Sequence, residues 1–183
     1  MQKVVGVKNL VFCALCCAFT CVCALFTIPI GAVPITLCNL AIYISGAILG
    51  PVYGAISQII YLALVFVGFP FTSQWKGGPF YLVGPTAGYM YGYVFIAFLT
   101  GYVYKVLGSR ASQYEKKMMW MFIGCFLGTI VCYFFGTVWF VFQNNIEFFK
   151  ALKVCVYPFI LGDLLKILVA TMIVPRIEKA IKI

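Results

Sequence analysis

The chain has 183 residues, of which 64% are hydrophobic and only 9% are charged, and its mean hydropathy is +1.08. A soluble domain carries about 25% charged residues, so the composition indicates an integral membrane protein and excludes a separate soluble catalytic domain. The net charge of +9 is concentrated at the ends of apolar runs, which points to membrane topology and anionic lipid rather than to nucleic acid.

Six apolar segments are present, and a hydrocarbon core of about 30 Å needs about 20 helical residues for each crossing. They predict one all-α membrane domain over residues 1–183. We expect the first segment to be a span and not a cleaved signal peptide, because no cleavage motif of the A-x-A type precedes a soluble stretch. The predicted spans are residues 9–26, 37–49, 52–69, 83–104, 118–142 and 154–174.

Three connections have distinctive compositions. Thr27–Thr36 reads TIPIGAVPIT, and its prolines and glycine predict an extended segment rather than a helix. Pro70–Leu82 reads PFTSQWKGGPFYL and combines aromatic residues with Gln74 and Lys76; it is either a lid over a pocket or an ordinary interfacial anchor. The third, Gln143–Lys153, is predicted to be a polar connector.

Small residues recur at four-residue spacing in several spans, and such stripes let helix backbones approach closely. Ala14 and Ala18 form one on the first span, and a turn at Gly50-Pro51 is predicted between the second and third. Further stripes are Gly84, Gly88 and Gly92 in the fourth span and Gly124 and Gly128 in the fifth.

The most informative stretch is Gly162–Lys166, which reads GDLLK inside an apolar run. Asp163 is one of only four acidic residues, and a charge near the bilayer centre costs roughly 2.5–3.5 kcal/mol on insertion scales. Lys166 lies on the same helix face as Asp163. The two residues are either a ligand site with one acceptor and one cationic donor or a structural ion pair.

Basic residues at the span ends predict the orientation. With six spans, one side of the membrane carries only Lys76, Lys150 and Lys153, so the other side, with both termini, is predicted to be cytoplasmic. Asp163 and Lys166 then face a pocket that opens outward, and we expect them to form its floor. The cytoplasmic side carries Lys3, Lys8, Lys105, Arg110, Lys116, Lys117, Arg176, Lys179 and Lys182.

The sequence carries few groups for catalysis. It has no histidine, so neither a zinc site nor another metal site is expected, and its nine cysteines suit small apolar positions. No GxxxxGK[ST] motif is present, so nucleotide would have to be bound by another chain. A protein that binds without chemistry, and not an enzyme, fits these residues best.

Several motifs together resemble those of the BioY family, the biotin-binding S components of energy-coupling factor (ECF) vitamin transporters. The resemblance covers nearly the whole chain, and its last two motifs are the most specific. Its carriers are Ala14-x-x-x-Ala18, PIGAVPIT followed by Asn39, AILGPVYG at Ala47–Gly54, VGFP before Lys76-Gly77-Gly78, GPTAGY at Gly84–Tyr89 and GDLLK at Gly162–Lys166.

The resemblance implies a six-helix S-component fold in a prokaryotic plasma membrane that captures biotin from outside, without a cofactor. It implies docking through Ala14 and Ala18 on an EcfT-like transmembrane coupling protein that is bound to two ATPases. The substrate-binding residues it suggests are Asp163, Lys166, Lys76, Gly77, Gly78, Asn39, Gln74, Tyr89 and Tyr43.

The chain departs from the family pattern at Lys76 and Met90, where an asparagine and an arginine are expected. We therefore predict that Lys76 binds the biotin carboxylate from the lid. Other hypotheses remain: an S component for a different vitamin, a stand-alone biotin carrier that needs no ATPase, and a small intramembrane enzyme.

Overall fold

The computed structural model describes residues 7–28, 34–73, 75–108 and 113–181. The all-α prediction is confirmed for this part of the chain, in which five helices are long and apolar enough to cross a membrane, at Val7–Leu25, Cys38–Val67, Ala87–Leu107, Tyr114–Asn144 and Tyr157–Lys179. The helices are α1 (Val7–Leu25), α2 (Cys38–Val67), α3 (Pro79–Val83), α4 (Ala87–Tyr102, extended by a π-helical segment at Val103–Leu107), α5 (Tyr114–Asn144), α6 (Phe148–Cys155) and α7 (Tyr157–Ile181).

Helix α2 turns back on itself at the predicted Gly50-Pro51 turn. Gly50 has φ 80° and ψ 179°, a conformation that interrupts the helix and that a residue with a side chain rarely adopts. A Cβ added to Gly54 would lie 2.9 Å from the Cα of Gly46, whereas these residues would be about 12 Å apart along a straight helix. The predicted spans 37–49 and 52–69 are therefore the two limbs of one helical segment, residues 38–49 and 51–67.

Helix α4 packs between α2 and α5, and α7 contacts both of those helices. The backbones of α4 and α2 are in contact where these two helices cross. A Cβ on Gly101 of α4 would lie 2.6 Å from the carbonyl oxygen of Gly46 and 2.7 Å from the nitrogen of Pro51. Neither partner is a flexible side chain, so only glycine fits at this position. This contact holds the turn of α2 against α4.

The predicted glycine stripes lie mainly at the contact between α4 and α5. Added Cβ atoms on Gly88 and Gly92 would overlap side chains of α5, and those on Gly124 and Gly128 would press on the backbone of α4. Gly84 differs, since it precedes α4 and ends α3. The flat faces are thus used for helix packing.

The connection between α1 and α2 and the connection between α5 and α7 contain short secondary structure. Strands β1 (Thr27–Ile28) and β2 (Ile35–Thr36) pair antiparallel, so the two ends of the segment predicted to be extended are extended, while its residues 29–33 lie outside the described residues. The polar connector predicted over Gln143–Lys153 contains the start of a further helix, because α6 begins at Phe148 and ends at Cys155. The cause is a short amphipathic repeat, in which Ala151 and Cys155 are buried one turn apart.

Helix α7 begins at Tyr157 and continues past Pro175, so it is longer at its carboxyl end than the predicted span 154–174. Beyond Pro175 it carries Glu178, which accepts hydrogen bonds from Tyr104 Oη at 2.9 Å, Lys105 Nζ at 3.3 Å and Lys117 Nζ at 3.1 Å. These four residues form the Glu178 cluster, which joins the end of α7 to α5 and to the π-helical segment.

Candidate functional site

Asp163 is buried, with 3% of its surface exposed, and its carboxylate accepts hydrogen bonds from three side chains. Lys166 Nζ donates to Oδ1 at 2.8 Å, and Tyr133 Oη donates to Oδ2 at 2.5 Å. Asn39 Nδ2 lies 3.3 Å from each of the two oxygens. We refer to these four residues as the Asp163 cluster.

Three different helices supply the Asp163 cluster. Asp163 and Lys166 are adjacent on one face of α7, Asn39 lies in the first turn of α2, and Tyr133 comes from α5. Sequence analysis selected the first three residues but missed Tyr133. A tyrosine in an apolar span needs a partner for its hydroxyl, which was the available signal, but that signal does not say which helix provides the partner.

The burial of the Asp163–Lys166 ion pair explains why the carboxylate has further hydrogen-bond donors. The side chains of Lys166 and Asp163 are 10% and 5% exposed, and charges removed from water are stabilised only when their remaining hydrogen-bonding positions are also filled. Asn39 and Tyr133 fill those positions on the carboxylate. The result is a buried carboxylate acceptor beside a cationic donor, with both carboxylate oxygens hydrogen-bonded by protein side chains.

Tyr43 lies one helical turn beyond Asn39 and is fully buried. Its hydroxyl is 2.5 Å from Thr129 Oγ1, and Thr129 lies one turn before Tyr133 on α5. Helix α5 and the first limb of α2 therefore run antiparallel at this contact. The Asp163 cluster and the Tyr43–Thr129 pair form two polar layers, one helical turn apart. The Tyr43 side chain belongs to the second layer rather than to the carboxylate itself.

A separate cavity of about 80 Å³ lies between the amino end of α4, the start of α2 and the segment Pro70–Leu82. Tyr89 lines it, with its hydroxyl 3.2 Å from Thr137 Oγ1. Ligand pockets usually measure about 300–1,000 Å³, so a vitamin-sized molecule would require movement of the walls. The described residues that line the cavity are Ala24, Pro34, Thr36, Cys38, Tyr61, Thr72, Ser73, Tyr81, Thr86, Tyr89, Met90 and Tyr93.

Neither Asp163 nor Lys166 is among the described residues that line this cavity. Asp163 lines, with Tyr133 and Thr129, a second cavity of about 250 Å³ whose described lining comes mainly from α5 and α7. The expectation that Asp163 and Lys166 form the floor of an outward-opening pocket stays a prediction. Their polar atoms are instead turned toward each other and toward Asn39 and Tyr133. The cavity and the Asp163 cluster are adjacent in sequence at Cys38, which lines the cavity and directly precedes Asn39 of the cluster. The two sites are therefore neighbours across the start of α2.

The segment Pro70–Leu82, here called the lid, contributes Thr72, Ser73 and Tyr81 to the lining of the cavity. Both the backbone nitrogen and the hydroxyl of Thr72 donate to the carbonyl oxygen of Lys76, which closes the lid into a turn. The Lys76 side chain is exposed.

The lid is also joined to α2. The backbone nitrogen of Gly78 donates to Val65 O at 2.8 Å, and Tyr61 Oη donates to Phe71 O at 2.9 Å. A Cβ on Gly77 would lie 2.1 Å from Phe69 O, so this glycine permits close packing of the turn. Gln74, also predicted to bind substrate, lies outside the described residues.

An apolar groove of about 590 Å³ runs along α1 and the second limb of α2. Ala14 and Ala18, the predicted docking residues, are exposed and line it together with Tyr53, Ile56 and Ile60. Small side chains at the bottom of such a groove let another transmembrane helix approach closely. We refer to it as the α1 groove.

Comparisons with known proteins give a consistent result. The family model described as the BioY family matches residues 1–183. The chain is 36% identical to the biotin transporter BioY of Lactococcus lactis subsp. cremoris, over 94% of this chain and 92% of that protein. It is 31% identical to the biotin transporter BioY of Thermotoga maritima, over 85% of this chain and 87% of that protein.

Among solved structures, the fold is similar to a crystal structure of the S-component for biotin from an ECF-type ABC transporter. The TM-score is 0.83 and the sequence identity 33%, and the match covers 98% of this chain and 95% of the other.

The burial of the Asp163–Lys166 pair leads to a prediction about stability. Lys166→Met should lower the free energy of unfolding by about 3–5 kcal/mol, because it leaves a buried carboxylate without its cation. The double variant Asp163→Leu with Lys166→Met should lose much less, since both charges are removed. Denaturant titration of the purified protein in detergent measures these differences.

The exposed pair Glu147–Lys150 is a matched control, with the same spacing, an N–O distance of 3.2 Å and side chains 73% and 71% exposed. Lys150→Met should change stability by less than about 1 kcal/mol. Equal losses for Lys150→Met and Lys166→Met would contradict the prediction.

Proposed function

The chain belongs to the BioY family, and we propose that it is the biotin-binding membrane subunit of an ECF-type transporter, which captures biotin from outside the plasma membrane of a prokaryote. As a member of a transporter family with several apolar helices, it is a multi-pass membrane protein and not an enzyme. The observation that carries the proposal is the Asp163 cluster, a buried acceptor and cationic donor in the apolar stretch of α7 that precedes Pro175.

Biotin carries a ureido ring with two N–H donors and one carbonyl acceptor. In the proposed complex, Asp163 accepts a hydrogen bond from a ureido N–H, and Lys166 donates one to the ureido oxygen. A buried polar group left without a partner costs about 1–3 kcal/mol, so the site selects ligands that offer both groups. Tyrosine side chains of the cavity, including Tyr89, would contact the apolar ring and chain.

The proposed orientation places both termini in the cytoplasm and counts the two limbs of α2 as separate spans, which gives six. The nine basic residues on the cytoplasmic side and three on the outer side support it. Asp163 would then lie about 9 Å along α7 from its outer end, at six residues from Tyr157. The lid and the β1–β2 pair would face the outside, where biotin arrives.

The proposed partners are an EcfT-like coupling protein and two ATPases, which would supply the energy that a chain without a P-loop cannot. The α1 groove supports this part of the proposal, because Ala14 and Ala18 leave room for a helix of the coupling protein. The fold similarity to an S-component of an ECF-type transporter supports it as well.

The first experiment is purification from a medium that contains biotin, followed by mass spectrometry of any small molecule that copurifies. Equilibrium binding of labelled biotin, with thiamine and riboflavin as competitors, then tests the choice of vitamin. Stronger binding of either competitor would indicate an S component for another substrate. Biotin uptake into proteoliposomes without partner subunits would indicate a stand-alone carrier.

Substitution of Asp163 tests the site. Asp163→Asn should weaken biotin binding at least tenfold, because the charged acceptor for the ureido N–H is lost, while the protein still inserts into the membrane. Glu147→Gln, which removes an exposed carboxylate, serves as the control and should leave affinity unchanged. Unchanged affinity in Asp163→Asn would rule out the proposed role.

Substitution of Lys76 tests the lid. If its ammonium group binds the biotin carboxylate, Lys76→Ala should weaken binding of biotin more than binding of biotinamide, which lacks that charge. Lys150→Ala removes an exposed lysine elsewhere on the predicted outer side and should affect neither ligand. Equal losses for biotin and biotinamide in Lys76→Ala would refute the assignment.

Substitution in the α1 groove tests the docking face. Ala14→Leu with Ala18→Leu should abolish copurification with the coupling protein, because the larger side chains fill the space for its helix, and should leave biotin binding intact. Leu15→Ala, on an exposed part of the same helix, is the control. Retention of the coupling protein by the double variant would place the interface elsewhere.

A further inference from the structure

The Asp163 carboxylate has no acceptor position free for a ligand in this structure. A carboxylate offers about four lone-pair positions on its two oxygens. Lys166 and Asn39 occupy those of Oδ1, and Tyr133 and Asn39 occupy those of Oδ2. A ureido N–H can therefore bind Asp163 only by replacing one of the present donors.

The three donors differ in how tightly they hold the carboxylate. The Lys166 and Tyr133 bonds, at 2.8 Å and 2.5 Å, have the short lengths of charge-assisted hydrogen bonds. Asn39 shares one nitrogen between two oxygens at 3.3 Å, beyond the usual range of about 2.7–3.2 Å. Asn39 is also uncharged, so its departure leaves no unpaired ion in the site.

The location of Asn39 also suits an exchange with an incoming ligand. It lies in the first turn of α2, directly after Cys38 and close to Thr36, which both line the outer cavity. Asn39 is half-buried, whereas Lys166 is buried. A displaced Asn39 amide can therefore reach solvent or the ligand more easily than a displaced ammonium group.

We infer that Asn39 is an exchangeable donor, which fills the Asp163 carboxylate until a ligand N–H replaces it, while Lys166 and Tyr133 stay bound. The inference rests on the proposed function and adds a step to it. It changes the expected role of Asn39 from a direct ligand contact to an internal competitor. Tyr133 is a positioning residue, because it acts on the ligand only through Asp163.

Asp163 is the only aspartate in the sequence. Protein grown with aspartate labelled with carbon-13 at the side-chain carboxyl therefore gives a single NMR signal that reports on this group. The signals of the wild type and Asn39→Ala should differ without biotin, because only the wild type has the Asn39 bond. The biotin-saturated signals of the two proteins should coincide, because the bond is absent from both.

Affinity provides a second measurement on the same proteins. Asn39→Ala should bind biotin about threefold to tenfold more tightly than the wild type, because a competing donor has been removed. Tyr133→Phe should bind biotin about tenfold more weakly, because the carboxylate loses a donor that persists in the complex. A purely structural role for Asn39 would not produce tighter binding, and Asn39→Ser provides a second substitution if the alanine variant is poorly folded.

The possible failures can be told apart. If the wild type does not bind biotin, the proposed function and this inference are both overturned. If the wild type binds biotin, but the saturated signals of wild type and Asn39→Ala remain different and the variant binds more weakly, only the exchange is overturned. Asn39 would then contact the ligand directly.

Discussion

A carboxylate that cannot reach water has to be neutralised and hydrogen-bonded by its neighbours, and this requirement organises the centre of the molecule. Asp163 satisfies it with partners from α2, α5 and α7. In a bilayer no solvent replaces a missing partner, so the three helices must meet at this level. The Tyr43–Thr129 hydrogen bond, one helical turn away, also joins α2 to α5, and the two contacts together hold the first limb of α2 antiparallel to α5.

Close helix packing provides the rigid background for this polar site. Where α4 crosses α2, the backbones touch at Gly101 and Gly46, and α4 meets α5 through a second set of glycines. Without a hydrophobic driving force between helices in lipid, such close contact is a main source of association. The cavity of about 80 Å³ lies beside the amino end of α4 and is lined in part by the lid, whose hydrogen bonds join it to α2.

The sequence was most informative at residues that are energetically costly to place inside a membrane helix. Asp163 and Lys166 stood out because charges are rare in apolar helices, and the Gly50-Pro51 turn because these residues interrupt a helix. Tyr133 was missed because one tyrosine among many aromatic residues does not reveal its partner on another helix. The separation between the Asp163 cluster and the cavity also depends on side-chain directions from three helices, which spacing along one helix does not contain.

The Glu178 cluster adds a mechanical constraint to α7. Asp163 and Glu178 are fifteen residues apart in sequence, so these two attachment points lie about 22 Å apart along the helix axis. Each joins α7 to α5, and each involves a further element, α2 at one level and the π-helical segment at the other. Sliding or axial rotation of α7 would break both attachments at once. The two attachments therefore oppose movement of α7 along or about its own axis relative to α5.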